Sequence, residues 1–314
     1  MTTTAEGSPF AAASTDLRGD PRRLRRERRT KALFLAAALA SMLVSVGIVA
    51  SLIGGAVDFI TKIDLSSLWA NGWFPRRGRF DLRTIATHTL MVSAVALVVS
   101  APLGLGAAVY LSEYARPTVR RLLKPALEIL AGIPSVVLGF FALTWVTPNI
   151  MQRLWTETDL FNLGAAGIGV GILIIPLVAS VSEDALRAVP DSLRQASYGL
   201  GARKWHTTVR IVLPAALSGI VASFILAVSR AIGETMVVAI AAGAAGGSLL
   251  TLKITEGGQT MTGAMASLAI GSDQVAGDNA AFQSLFFVGL LLFVMTLILN
   301  ILSERFVRRY RQKY

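Results

Sequence analysis

The chain has 314 residues, 54% of them hydrophobic and only 16% charged, with 28 glycines and a mean hydropathy of +0.61. Soluble domains carry roughly 25% charged residues, so the composition excludes an ordinary soluble fold and indicates a membrane protein. The lack of cysteine excludes disulfides, thiolate catalysis and cysteine metal sites, and the net charge of +11 is placed along the chain in a way that argues against nucleic acid as its partner.

Spanning helices need roughly 17 to 25 mainly apolar residues. Six such stretches occur, near 32–57, 84–112, 125–147, 164–181, 214–243 and 282–303. The expected fold class is an all-α membrane protein of six transmembrane helices. Residues 1–31 are a basic tail whose first twenty positions, rich in Ala, Ser, Thr, Gly and Asp, read as disordered. PRRLRRERRTK then precedes the first span like a signal peptide, with small residues at 38–41 for cleavage. The apolar run continues to Val57, too long for such a segment, so 32–57 reads as an uncleaved signal anchor.

Residues 58–83 combine tryptophans, Pro75 and glycines, as expected of an external loop with aromatic interface anchors. His88 opens the second span and His206 falls in a later loop. Both read as surface or interfacial histidines, and no metal site is expected because zinc needs three or four ligands. The third span carries Pro125, Glu128 and Pro134; prolines are tolerated where neighbours satisfy the freed carbonyls, and Glu128 lies near enough to one end to reach water. Gly164, Gly167, Gly169 and Gly171 in the fourth span predict close helix packing rather than a ligand.

With the N-terminus taken as cytoplasmic, eight basic residues fall in 1–31, four in 113–124, five in 182–213 and five after 303. The outside loops hold seven, so the positive-inside rule places both ends in the cytoplasm. Arg76, Arg77, Arg79 and Arg83 are the local exception. The remaining basic residue, Arg230, lies inside the fifth span.

The loop 182–213 is longer than a turn needs. Pro190, Asp191 and Ser192 offer a helix start, Leu193, Ala196 and Leu200 recur at helical spacing, and Gly199 and Gly201 break the run before ARKWHTTVRIVLP resumes it. Gln195, Ala196, Ser197, Gly201, Ile211, Leu213 and Pro214 stand at the spacings of the EAA motif of ABC importer permeases, which this loop resembles. Gln195 replaces the acidic residue and Ser197 the second alanine. The resemblance implies the type I permease fold, with a coupling helix seated in a separate ATPase subunit. Ala196, Ser197 and Gly201 would allow close docking, and Arg203 and Lys204 would supply charge at the rim. No GxxxxGK[ST] loop is present, so ATP and Mg²⁺ would be bound by that partner and no cofactor by this chain.

Arg230 lies sixteen residues beyond Pro214, about 24 Å along a helix and deep in the bilayer. A cation there costs roughly 2.5 to 3.5 kcal/mol. Glu234, four positions on, is expected to share its face and partly neutralise it. A pure neutralising pair is the bland account, yet two leucines would serve stability as well, so a place on a translocation path is preferred. Guanidinium forks onto tetrahedral oxyanions, Glu234 could accept the proton of monohydrogen phosphate that sulfate lacks, and Ser229, Gly233 and Thr235 complete the candidate substrate segment.

APLGLGAAVYLSEYARP, LEILAGIPSVVLGFFAL, SYGLGARKW and SRAIGETMVV together resemble, from about residue 84 to the C-terminus, the permease subunits of the bacterial phosphate ABC importer, with Met236 and Val237 favouring its PstC-like half. That resemblance implies a multi-pass inner-membrane protein with a permease domain over 84–303 and a basic tail at 304–314. It also implies a second homologous permease, an ABC ATPase dimer, an extracytoplasmic phosphate-binding protein, and transport of inorganic phosphate by alternating access. The external stretch 244–279 would be either a docking surface or a plain loop. Two rivals stand beside this reading: a permease for another oxyanion such as sulfate or molybdate, and an ATP-independent secondary transporter in which Glu234 carries protons. An intramembrane enzyme lacks HExxH, Cys and GxSxG.

Overall fold

The computed structural model describes residues 21–69, 71–243, 247–270 and 280–310; the expected disordered segment 1–20 lies outside them. The chain divides into two compact units, Met1–Ser51 and Leu52–Tyr314. In the first, the described residues belong to helix α1 (Pro21–Lys62). Up to Ser51 none of its described side chains is buried, as suits a helix whose side chains meet lipid.

Near its start the second unit carries a small cap of two short strands. Strands β1 (Trp73–Phe74) and β2 (Arg79–Phe80) pair antiparallel across a turn closed by Gly78 at φ +69°. Phe59, Trp73 and Phe80 pack edge to face over Ile85, Met261 and Val288. Asp81 caps helix α2 (Leu82–Tyr114) by accepting from the Arg83 N–H at 3.2 Å and the Thr84 hydroxyl at 2.9 Å. Arg83, the last of the four exceptional arginines, lies over the Trp69 ring and donates to its carbonyl, so this cation is part of the cap's structure.

Helix α3 (Pro117–Ala131) and helix α4 (Ser135–Leu154) replace the expected third span. Gly132 and Pro134 break the chain between them, so the stretch 125–147 is not one helix. Proline has no N–H for the preceding turn, and the residue pattern of α3 gives it one polar and one apolar side. Helix α5 (Leu163–Arg187) crosses the centre of the unit and packs along α2. Its expected close packing is present: a Cβ on Gly167 would sit 2.6 Å from Val95 Cβ, and one on Gly171 would sit 2.9 Å from Val99 Cβ. Asn162 fixes the start of α5, accepting from the Ala165 N–H at 2.7 Å and donating to Thr147 Oγ1 at 3.1 Å.

Helix α6 (Asp191–Gly199) leads into α7 (Lys204–Ala215), which meets α8 (Leu217–Ile232) at a 68° bend. The fifth span is itself broken: α8 stops at Ile232, and α9 (Met236–Ala241) begins after Gly233–Thr235. Helices α10 (Met261–Ile270) and α11 (Ala280–Tyr310) follow. The described part of the 244–279 stretch is neither a plain loop nor wholly outward-facing. Its backbone pairs with Asp159, Leu163, Gly164 and Ala242, and residues 258–264 are buried.

Candidate functional site

The four residues expected to meet substrate do not converge. Arg230 lies in the last turn of α8 and is exposed. It lines a cavity of about 340 Å³ with Leu173, Pro176, Leu177 and Ser180 of α5 and Lys124, Leu127 and Glu128 of α3. Among the described residues no carboxylate lies within 4.0 Å of it, so the expected Arg230–Glu234 pair is not formed. The reason is local: the helix ends at Ile232, and the two side chains no longer share a continuous face. The cation is supported instead by its place at a helix C-terminus, where the backbone dipole favours positive charge.

Glu234 is 7% exposed and turns toward α9, whose Val237 N–H approaches Oε1 at 3.5 Å. Its carbonyl accepts from Thr262 Oγ1 at 2.7 Å. The break is thereby held by the inward-folded external stretch. Ser229 donates to Asn300 Oδ1 of α11 at 3.0 Å, and Thr235 Oγ1 turns back to the Gly233 carbonyl at 3.4 Å. Arg230 alone of the four faces the cavity.

His88 corrects the interfacial expectation. It is fully buried. Nδ1 lies 3.1 Å from the Gln259 carbonyl and Nε2 3.3 Å from the Thr251 N–H, so Nδ1 donates and Nε2 accepts in a neutral ring. A Cβ on Gly258 would collide with the ring at 2.7 Å; the glycine is what lets the stretch 251–262 close over α2. No spacing in the sequence signals this contact across 171 positions.

The loop 182–213 is built as two helices and a glycine turn. Gly201 has φ +79°, with nothing within 4 Å of a Cβ placed there, so its requirement is backbone conformation rather than room within the chain. Gln195, Ala196, Arg203 and Lys204 are exposed. Ser197 is buried, its hydroxyl 2.8 Å from Thr207 Oγ1, so it faces the second helix of the loop rather than the exposed surface. Leu200 and Trp205 are 89% and 69% exposed and form an apolar knob that the sequence reading did not select. Lys204 lies 5.0 Å over the Tyr114 ring at the end of α2.

Arg194 is a further residue that the sequence reading passed over. Its guanidinium donates to the carbonyls of Leu186 at 2.8 Å and Val189 at 2.6 Å, and pairs with Glu113 at 3.0 Å. It thus ties the coupling loop to the ends of α5 and α2. A second ion cluster surrounds Glu183, 1% exposed, with Arg120 Nε at 2.9 Å, Lys124 at 3.5 Å and Arg187 at 3.8 Å. Among the described residues no three His, Asp or Glu side chains converge to hold a metal.

A bundle whose interhelical cavity is lined by a cation that no carboxylate among the described residues pairs, with a two-helix loop braced against two spans, suits the membrane-embedded part of a transport system. The chain belongs to the family of binding-protein-dependent transport system inner membrane components, which matches residues 100–312. It is similar to the phosphate transport system permease protein PstC of Mesorhizobium japonicum, 30% identical with 98% of each chain covered. It is also 34% identical to PstA 1 of Mycobacterium tuberculosis, covering 72% of this chain and 70% of that one. Among solved structures, a bacterial alginate ABC transporter matches with a TM-score of 0.62, 16% identity, and coverage of 93% of this chain and 99% of that one. That likeness carries the fold.

Proposed function

We propose that this chain is the transmembrane permease subunit of an ATP-driven importer of inorganic phosphate, forming half of the translocation path. Relatives named as phosphate transport permeases cover nearly the whole chain, and the PstC-like half is favoured by Met236 and Val237 after Gly-Glu-Thr. The observation that carries the reading is Arg230: a guanidinium that lines a cavity between helices, with no carboxylate among the described residues within 4.0 Å. Guanidinium offers a tetrahedral oxyanion two parallel donors. Glu234, Ser229 and Thr235 hold the broken segment that presents it.

In this reading a second homologous permease completes the path, and an external phosphate-binding protein delivers the anion. An ATPase dimer binds ATP and Mg²⁺ and moves the spans through Gln195, Ala196, Ser197, Gly201, Arg203 and Lys204. Leu200 and Trp205 add the apolar anchor that such an interface needs. Both termini lie on the side of the coupling loop, as the distribution of basic residues requires.

The test is uptake of labelled phosphate by cells carrying Arg230→Ala or Arg230→Lys, with assembly checked by co-purification of the ATPase. Uptake is expected to vanish in Arg230→Ala and to survive in part in Arg230→Lys while the complex stays intact. Undiminished uptake by an assembled Arg230→Ala complex would overturn the proposal. Competition by sulfate or molybdate equal to that by phosphate would favour the wider-oxyanion rival.

A further inference from the structure

The Arg230 cavity shares part of its wall with a second cavity. A larger cavity of about 790 Å³ lies on the coupling-loop side of α3 and reaches Asp191, Tyr198 and Lys204. Lys124 and Glu128, one turn apart on α3, line both cavities. The larger one is a basic vestibule, with six Lys and Arg side chains in its wall against three carboxylates.

The throat between them has more positive charge than its buried carboxylate uses. Arg120 meets Glu183 Oε1 through Nε at 2.9 Å and Nη2 at 2.5 Å, and so satisfies that oxygen closely. Lys124 stands 3.5 Å from Oε2 and Arg187 3.8 Å from Oε1, both half-exposed. An ammonium carries three donors, and this single loose contact leaves most of the Lys124 capacity directed at the two cavities. The two carboxylates of Glu183 and Glu128 against the three cations Arg120, Lys124 and Arg187 still leave one positive charge in surplus at the throat.

We propose that Lys124 forms a second binding station for a tetrahedral oxyanion, between the Arg230 cavity and the basic vestibule. This rests on the reading of Arg230 as the substrate cation. One deep cation alone would hold a dianion tightly and release it slowly; conduction needs sites that are several and individually weak enough to leave. Lys124 gives the anion a next position, and Glu128 on the same wall limits how firmly it is held there. A phosphodiester headgroup has the same oxyanion chemistry, so the experiment separates the two sources.

The whole complex is reconstituted into phosphatidylcholine vesicles with or without phosphatidylglycerol, and ATP-driven uptake of labelled inorganic phosphate is measured for Lys124→Gln, Lys124→Arg and Arg230→Ala. Lys124→Gln is expected to lower maximal turnover about tenfold, equivalent to roughly 1.4 kcal/mol, while half-saturation stays within about twofold of the parent. Lys124→Arg is expected to restore most of the turnover, and lipid composition to make no difference. Normal turnover in Lys124→Gln overturns the station. So does a loss confined to vesicles with phosphatidylglycerol, which assigns the throat to a lipid headgroup, or a loss that tracks lower complex yield and melting temperature, which reduces Lys124 to a prop for Glu183. If Arg230→Ala transports normally, the parent reading fails whatever Lys124 does; if only Lys124→Gln transports normally, the throat alone fails.

Discussion

Replacing Arg194 with alanine is the sharpest test of how the coupling loop is held. The arginine side chain is 14% exposed and its partner Glu113 4%. Truncation strands that carboxylate and removes donors from two carbonyls at the end of α5. Breaking a buried pair from one side costs roughly 3 to 5 kcal/mol. Glu113 lines the vestibule at its edge, which favours the lower end, and the Asp191 contact, on a side chain 84% exposed, adds at most about 0.5 kcal/mol. A loss of about 3 kcal/mol is expected. It is measured by unfolding the purified chain in mixed micelles, with Glu113→Gln and the double variant closing a cycle whose interaction energy should be on the order of 1 to 3 kcal/mol. In the assembled complex, α6 would then move without its two spans, and ATP consumed per phosphate should rise. A change below about 0.5 kcal/mol, or a cycle that simply adds, would refute the bracing role.

Gly201→Val should cost about 1 to 2 kcal/mol through left-handed backbone strain alone, because nothing stands near its Cβ. Co-purification of the ATPase should fall sharply; retention of full association would show that the turn is not part of the docking geometry. At Asp81, burial pushes the carboxyl pKa up, but hydrogen bonds from Thr84, Arg83 and the Gly72 N–H, with the Arg83 charge, outweigh it and leave the value below the ordinary 3.8. Its folded value is depressed, so the stability it supplies is present above that ordinary value and lost as pH falls through the folded one. Melting curves from pH 6 to 3 should show this acid-side loss in the parent chain and a weaker one in Asp81→Asn; identical slopes would contradict it.

Local pattern carried far in this chain. Apolar runs of spanning length fell inside the first, second, fourth and sixth observed helices, with only the second close at both ends, because a bilayer-length helix satisfies its backbone internally and needs no distant partner. The glycines of α5 announced close packing, and the helix start at Pro190 with the break at Gly199 and Gly201 announced a two-helix loop. Where local signals conflicted, the reading failed. Pro134 was taken as tolerated inside a span, and Gly233 as space beside a charge, whereas each marks a helix boundary. The Arg230–Glu234 pair fell with that second break, since pairing four residues apart requires an uninterrupted turn.

By itself the sequence determined that this is a helical membrane protein with a coupling loop and one misplaced cation, since length, hydropathy and spacing are properties of single segments. Only the tertiary structure decided that His88 is buried beneath residues 251–262 and that Ser197 faces inward. It likewise decided that Glu183 gathers three cations and that Lys124 stands between two cavities. Each of these depends on segments tens of residues apart meeting at a few ångströms, and that is fixed by packing and hydrogen-bond satisfaction across the bundle rather than by any local periodicity.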